Sequence, residues 1–286
     1  MYLLFDIGGT KTRIASTSDL QTIERVIKFE TPLLFEEAML RMEAEMTSLC
    51  NGRAVTAVAG GIRGPLDHEK TAIVSETILV DWVRKPLAQR LSDICHAPVY
   101  LENDTALVGL GEAYAGAGQG YSIVAYHTVS TGVGGARIVD GKIDVARSGF
   151  EPGKQVLDID HTIHAEFSQN GTLEELISGD AVEKRFGQKP YTIPQNDPIW
   201  NELALYLAHG IKNTILYWSP DVVVLGGSMV IGDPRIMLEL VIQKVKELLG
   251  DLEPCPPIVD ATLKDEGGLH GALALLRQKE MTQKND

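Results

Sequence analysis

Cysteine is scarce in this chain, with three among 286 residues. Cys50, Cys95 and Cys255 are odd in number and far apart, which excludes a disulfide framework and leaves three reduced, structural thiols as the expectation. Long apolar runs are missing too. No stretch approaches the length needed to span a bilayer, and no basic, apolar leader precedes the first strand, so the chain is expected in the cytoplasm without a membrane partner. Basic residues are outnumbered: 26 Lys plus Arg face 39 Asp plus Glu, a formal charge of −13. That balance argues against nucleic acid as a partner, because such binding gains from counterions displaced by clustered cations. An anionic nucleotide is compatible with it where a divalent cation and a donor-rich pocket offset the repulsion. Two nucleotide signatures are also absent. There is no P-loop pattern, and Gly116-Ala117-Gly118-Gln119-Gly120 has G-x-G-x-G spacing without the strand-to-helix turn of a dinucleotide fingerprint.

What is present is a soluble, globular composition, 44% hydrophobic and 23% charged, at a length that fits two modest domains. Short strands are expected over 2–5, 13–16 and 26–29. Pro32 opens a helix in which Phe35, Met39, Met42, Met46 and Leu49 recur at helical spacing as core residues, and Asn51-Gly52 ends it. A buried strand over 54–59 leads into a turn-rich loop over 60–65, followed by a helix over 85–95 and a strand over 98–101. In the second half, strands are expected over 121–128, 135–140, 222–225 and 258–261, with an Asp140-Gly141 hairpin turn. Helices are expected over 199–218, 236–249 and 267–277. Residues 146–172 lack periodicity, and 278–286 reads as a frayed tail. The alternation is α/β, with a hinge-like boundary in the small residues 116–120.

The segment Phe5-Asp6-Ile7-Gly8-Gly9-Thr10-Lys11-Thr12 sets an acidic residue, a Gly-Gly turn and hydroxyl and ammonium donors between two strands. Glycines let backbone N–H groups approach an anion closely, so the tip of this hairpin can cradle phosphate. Asp6 would hold Mg²⁺ through water, while Thr10 and Lys11 reach phosphate oxygens. An ordinary Gly-Gly hairpin is the plainer alternative. Ser130-Thr131-Gly132-Val133-Gly134-Gly135-Ala136 repeats the device in the second half, and the two hairpins could clamp a triphosphate from opposite sides. Leu225-Gly226-Gly227-Ser228 exposes backbone on which a base or ribose could lie. Glu102-Asn103-Asp104 ends a strand and starts a helix, where open α/β sheets hold ligands. Asp104 is placed to take a proton from a substrate hydroxyl and Asn103 to bond a neighbouring one, although either could simply cap the helix.

Together these residues resemble the ROK family (repressor, open reading frame, kinase) of sugar kinases, which has an α/β, two-domain actin/hexokinase-like (ribonuclease H-like) fold. The resemblance covers nearly the whole chain in the expected order. Asp6-Ile7-Gly8-Gly9-Thr10-Lys11 is similar to the first phosphate loop, and Asn103-Asp104 to the catalytic pair. Thr131, Gly132, Gly134 and Gly135 match the second phosphate loop, Gly226-Gly227 the adenosine loop, and Gly267-Gly268-Leu269-His270-Gly271-Ala272 the start of the final helix. The likeness implies a ligand cleft between a domain of residues 1–116 plus 270–286 and one of residues 117–269. It implies ATP and Mg²⁺ as cofactors, a hexose or N-acetylhexosamine as substrate, Asp104 as general base toward the C6 hydroxyl, and a homodimer. The sugar site it implies is lined by Gly64 backbone, Asn103, Asp104, Glu151 and Glu174.

One stretch departs from the family. There, a Gly-Glu-x-Gly-His segment precedes a cysteine-rich zinc loop ending Gly-Cys-Leu-Glu. The matching stretches here are Phe150-Glu151-Pro152-Gly153-Lys154 and Gly171-Thr172-Leu173-Glu174. Lys154 stands at the histidine position, and Ala165, Phe167 and Thr172 stand at three cysteine positions. Tetrahedral zinc needs thiolate or imidazole ligands, so a zinc-free protein is expected. Lys154 would then pair with a carboxylate or donate to a sugar hydroxyl. His161 and His164, at helical i, i+3 spacing, are expected to be surface residues rather than a replacement metal site. The family also contains repressors with a DNA-reading segment before the sugar domain; with the hairpin already at Asp6, no such segment is expected here. A non-catalytic sugar-binding regulator of the same fold is the alternative to a kinase.

Overall fold

The computed structural model describes residues 1–147, 149–251 and 255–283. Its first half runs β1 (Tyr2–Ile7), β2 (Lys11–Thr17), β3 (Arg25–Glu30), α1 (Phe35–Cys50), β4 (Ala57–Ile62), α2 (Leu87–Cys95), β5 (Val99–Asn103) and α3 (Asp104–Ala115). Next come β6 (Ile123–Val129), β7 (Val133–Val139), β8 (Lys142–Ile143), α4 (Leu173–Ile177), α5 (Gly179–Phe186) and α6 (Ile199–Trp218). The chain closes with β9 (Val222–Gly226), α7 (Ser228–Ile231), α8 (Leu238–Leu249), β10 (Ile258–Asp260) and α9 (Gly267–Gln283). Among the described residues no helix is long and apolar enough to cross a membrane.

Two compact units divide the chain. The first holds Met1–Tyr114, Val145–Gly149 and the segment from Asp265 onward. Its sheet has the order β3-β2-β1-β4-β5, with β1 antiparallel to β2 but parallel to β4, and β4 parallel to β5. Strand alternation sends Leu3, Phe5 and Ile7 into one core with Met39, Met42 and Met46 of α1 and Leu87 and Leu91 of α2. Burying each such side chain contributes about 1.5–3 kcal/mol. Helix α9 packs on β1 and β4.

The second unit holds Ala115–Asp144 and Phe150–Lys264. Its sheet has the order β10-β9-β6-β7-β8. Strand β9 is buried throughout, and Leu203, Leu207 and Ile211 of α6 share its core with Val241 and Val245 of α8. The face of α6 that carries these residues is buried, and the helix has the expected bounds.

Several expectations are corrected. Strand β4 covers 57–62 rather than 54–59, because its register with β1 runs from Tyr2 opposite Ala57 to Ile7 opposite Ile62. Gly60 and Gly61 thus lie inside a strand, where a Cβ on Gly60 would come within 2.3 Å of the Phe5 ring. Helix α1 begins at Phe35, whose N–H donates to the Asp81 carboxylate at 2.8 Å, a partner 46 residues away. Helices α4 and α5 were not expected. Helix α9 continues through Gln283, so residues 278–283 are not a frayed tail; residues 284–286 lie outside the described residues. His161 and His164 have φ of 53° and 51° and are not on a helix.

Candidate active site

In the first unit, the C-terminal ends of three parallel strands gather the expected groups. Register places Asp6 opposite Gly61, and Ile62 opposite Asn103. The turn between β1 and β2 is braced from behind: Thr31 Oγ1 donates to Gly8 O at 2.8 Å, and Thr31 N donates to Thr10 O at 2.9 Å. Those bonds hold the turn's carbonyls, and neither Gly9 N–H nor Thr10 N–H is used in them. Lys11 opens β2 and is exposed.

Asn103 is indeed a helix cap. Its Oδ1 accepts the N–H of Ala106 at 3.1 Å, while its Nδ2 donates to Gly64 O at 3.1 Å. Its second Nδ2 hydrogen has no partner among the described residues. Gly64 has φ +100°, and a Cβ there would come within 3.0 Å of Ser75 O, which is why glycine stands at that point. Because Asn103 caps the helix, Asp104 is relieved of that duty. Its Oδ1 accepts Thr105 N–H at 2.7 Å, and its Oδ2 has no hydrogen bond among the described residues. Burial raises the Asp104 pKa, with the Thr105 N–H bond and the Arg63 charge opposing.

Asp6 ends up inside β1 rather than in the turn. Burial first, then the Asp104 charge, pushes its carboxyl up to about 6, with Arg13 opposing at 3.2 Å. A Cβ on Gly268, at the start of α9, would fall 2.7 Å from the Asp6 carboxyl carbon. Hard carboxylate oxygens that are crowded, partly desolvated and set beside a second carboxylate make a donor set that fits Mg²⁺. Sequence reasoning missed Arg13, Arg63 and Glu76; Glu102, which it named, is buried and pairs with Lys70. Arg13 could have been found: in a hairpin closing Ile7 on Thr12, it stands directly across from Asp6.

In the second unit, the β6–β7 hairpin turns at Ser130, Thr131 and Gly132, with Ser130 N–H donating to Gly132 O at 2.9 Å. Strand β9 brings Gly226 beside Thr128. Gly227 follows at φ +89°, where a Cβ would meet Val129 O at 2.3 Å. The second hairpin and the Gly226-Gly227 pair therefore share one end of this sheet, and Ser130 Oγ lies 3.0 Å from Ser228 Oγ. Gly134 and Gly135 lie within β7, and Gly135 leaves room for Pro152.

Beside that hairpin lie the residues expected to hold sugar. Lys154 Nζ donates to Glu174 Oε1 at 2.5 Å, and Glu174 Oε2 accepts Val133 N–H at 2.8 Å. A Cβ on Gly132 would come within 2.8 Å of Glu174 Oε2. The hydrogen bond and charge of Glu174 raise the Lys154 pKa, burial opposing and Glu151 adding to the rise. Lys154 and Glu174 are thus brought together with the second glycine turn, and Glu151 precedes the helical turn Pro152–Lys154.

With this geometry in hand, likeness to known proteins becomes decisive. The ROK family pattern matches residues 2–279. The chain belongs to the ROK family. A fructokinase of Streptococcus mutans is 26% identical over 284 residues, covering 94% of this chain and 89% of that protein. The ROK hexokinase of Thermus thermophilus superposes with a TM-score of 0.81 at 25% identity, covering 98% and 99% of the two chains. A ROK glucokinase of Streptomyces griseus, solved with glucose and AMPPNP, gives 0.77 at 26% identity, covering 97% and 99%. The two-sheet α/β fold is that of the ROK hexokinase-like structures, and family and relatives together support a sugar kinase.

The ROK zinc loop has a different counterpart here. Residues 155–173 contain no thiol, and among the described residues no three His, Cys, Asp or Glu side chains are grouped to hold a metal. His164 is not a simple surface residue. Its Nε2 lies 2.8 Å from Glu202 Oε1, which also accepts from Arg185 Nη2 at 2.6 Å.

Proposed function

We propose that this ROK protein transfers the terminal phosphoryl group of ATP to a hydroxyl of a hexose or N-acetylhexosamine, the C6 hydroxyl by family resemblance. The observation that carries the reading is Asp104, half-buried at the end of three parallel strands, with one carboxylate oxygen unspent because Asn103 does the capping. Asp104 Oδ2 accepts the hydroxyl proton as that oxygen forms its bond to phosphorus and the bond to the ADP oxygen breaks. Asn103, through its second N–H, and the Gly64 backbone orient the sugar. Glu151 and Glu174 accept hydrogen bonds from sugar hydroxyls, and Lys154 keeps Glu174 in place.

Asp6 would hold Mg²⁺ through water. Gly8, Gly9, Thr10 and Lys11 would cradle phosphate, as would Thr131, Gly132, Gly134 and Gly135. Gly226 and Gly227 would carry the adenosine. Bound Mg²⁺-ATP supplies the group transferred and spreads its developing charge. The glucokinase solved with glucose and AMPPNP supports both ligands.

The test is a coupled ADP-release screen over glucose, fructose, mannose, allose, N-acetylglucosamine and N-acetylmannosamine. At least one sugar should turn over, and Asp104→Asn should lower kcat about 10²–10⁴-fold. A variant keeping more than about a tenth of wild-type turnover overturns the assignment. Sugar binding with no ADP release from any member of the panel would instead mark a sugar-responsive regulator.

A further inference from the structure

Building on the kinase reading above, we propose that Arg63 is a further phosphoryl-binding residue and that Glu76 is the residue that positions it. Arg63 follows β4 directly, and its backbone N–H donates to Ile7 O at 3.0 Å, just before the first glycine turn. Its Nε donates to Glu76 Oε1 at 3.0 Å. Its aliphatic Cδ lies against Gly9, where an added Cβ would be 3.4 Å away. One residue thus touches the glycine turn and a buried acid at once.

Glu76 is built as an anchor. Its side chain is 5% exposed, and Oε1 also accepts Thr77 N–H at 2.8 Å and Ile78 N–H at 3.1 Å. Oε2 lies 3.1 Å from where a Gly64 Cβ would be, so the missing Cβ makes room for it. Burial works against the ionised form, but the N–H bonds from Ile78 and Thr77 and the Arg63 charge hold the pKa low. The Ile78 side chain in turn covers Gly9, reaching to 3.2 Å from where a Cβ on that glycine would stand.

The guanidinium is gripped along one edge only. Its two Nη groups have no hydrogen-bond partner among the described residues, and the side chain is 30% exposed. A planar cationic fork, fixed by a buried carboxylate and left open beside a glycine turn, matches the oxygens of a phosphoryl group. It also stands close enough to Asp104 to oppose the effect of burial there. Its charge would be felt where negative charge builds up during transfer. A purely structural role would be to lock residues 75–78 in place, and the experiment separates the two.

Mg²⁺-AMPPNP binding to the full chain is measured calorimetrically for wild type, Arg63→Gln, Arg63→Lys and Glu76→Gln, with a melting curve for each. Sugar binding is measured in parallel. Arg63→Gln should weaken AMPPNP about tenfold or more, since it removes charge-assisted hydrogen bonds to the phosphoryl oxygens. It should also lower kcat about 10²–10³-fold, leave sugar affinity within about twofold, and regain part of its turnover from added guanidinium ion. Glu76→Gln should lower kcat without rescue by guanidinium. A folded Arg63→Gln that binds AMPPNP like wild type, or whose loss falls on sugar affinity alone, overturns the proposal. If Arg63→Gln does not fold, Arg63→Lys decides: unchanged AMPPNP affinity and kcat sink it. Should wild type bind AMPPNP yet phosphorylate no sugar, the kinase reading fails and the binding comparison still judges Arg63.

Discussion

At the scale of single residues, the site trades stability for charge. Asp6 keeps its proton to about pH 6 in the folded chain, against an ordinary value of 3.8. The native state therefore binds that proton more tightly than the unfolded state does. Stability from this group is full below its ordinary value and is lost as pH rises toward 6, about 3 kcal/mol in all. Asp6→Asn removes that loss. In the presence of a chelator, melting curves from pH 4 to 8 should show the variant gaining on wild type as pH rises, with most of the gap open by pH 7. Parallel curves would mean that Asp6 is not the strained group. Asp6 was legible in the sequence because it stands two residues before Gly8-Gly9, and its partner Arg13 was legible from hairpin register. Arg63 and Glu76 were not. They sit 13 residues apart in a stretch with no period, and only the folded loop over 64–78 brings them together.

At the scale of elements, the long periodic helix α6 was readable to the residue and α1, α8 and α9 only in their existence, while short capped ones escaped. Helices α4 and α5 span five and eight residues, too short for a hydrophobic period to emerge. Their signal was in the caps: Thr172-Leu173-Glu174-Glu175 has the T-x-x-E spacing of a capping box, and Thr172 Oγ1 does accept Glu175 N–H at 3.3 Å. Ser178 Oγ likewise accepts Ala181 N–H at 3.1 Å and starts α5. The crossing of α3 and α9 was foreshadowed only as a run of glycines. A Cβ on Gly271 would fall 1.8 Å from Leu107 O, and one on Gly111 would fall 2.3 Å from Gly267 O. Backbone cannot step aside as a flexible side chain can. Gly271→Ala should therefore cost at least the roughly 1–3 kcal/mol of ordinary overpacking. Because α9 also brings Gly268 against Asp6, the variant should lose Mg²⁺-AMPPNP affinity along with its urea midpoint. An unchanged midpoint would show that the helices separate without penalty.

At the scale of the whole molecule, both the α/β class and the positions of the glycine turns could be read from the chain. The bonds that hold 155–173 could not, since they close turns without a period and reach Arg185 and Glu202 outside the segment. Leu157 N–H and Asp158 N–H both donate to Gly171 O, and Leu173 N–H donates to Gln155 O at 2.9 Å. The Asp158 carboxylate accepts Thr162 N–H and Ile163 N–H, and Glu175 accepts from Ser168 and Asn170. Glu202 ties His164 to Arg185, whose side chain is 5% exposed. These bonds close the segment with the chain's own side chains and backbone. Untagged protein should accordingly carry less than about one zinc per ten chains, and a chelator should leave its melting temperature in place. Glu202→Gln should loosen the segment. It strips a buried guanidinium of its counter-charge, which costs about 3 kcal/mol and lowers the melting temperature by roughly 6–12 °C. Near-stoichiometric zinc, or a chelator effect as large as that of Glu202→Gln, would show that a metal and not this carboxylate holds the segment.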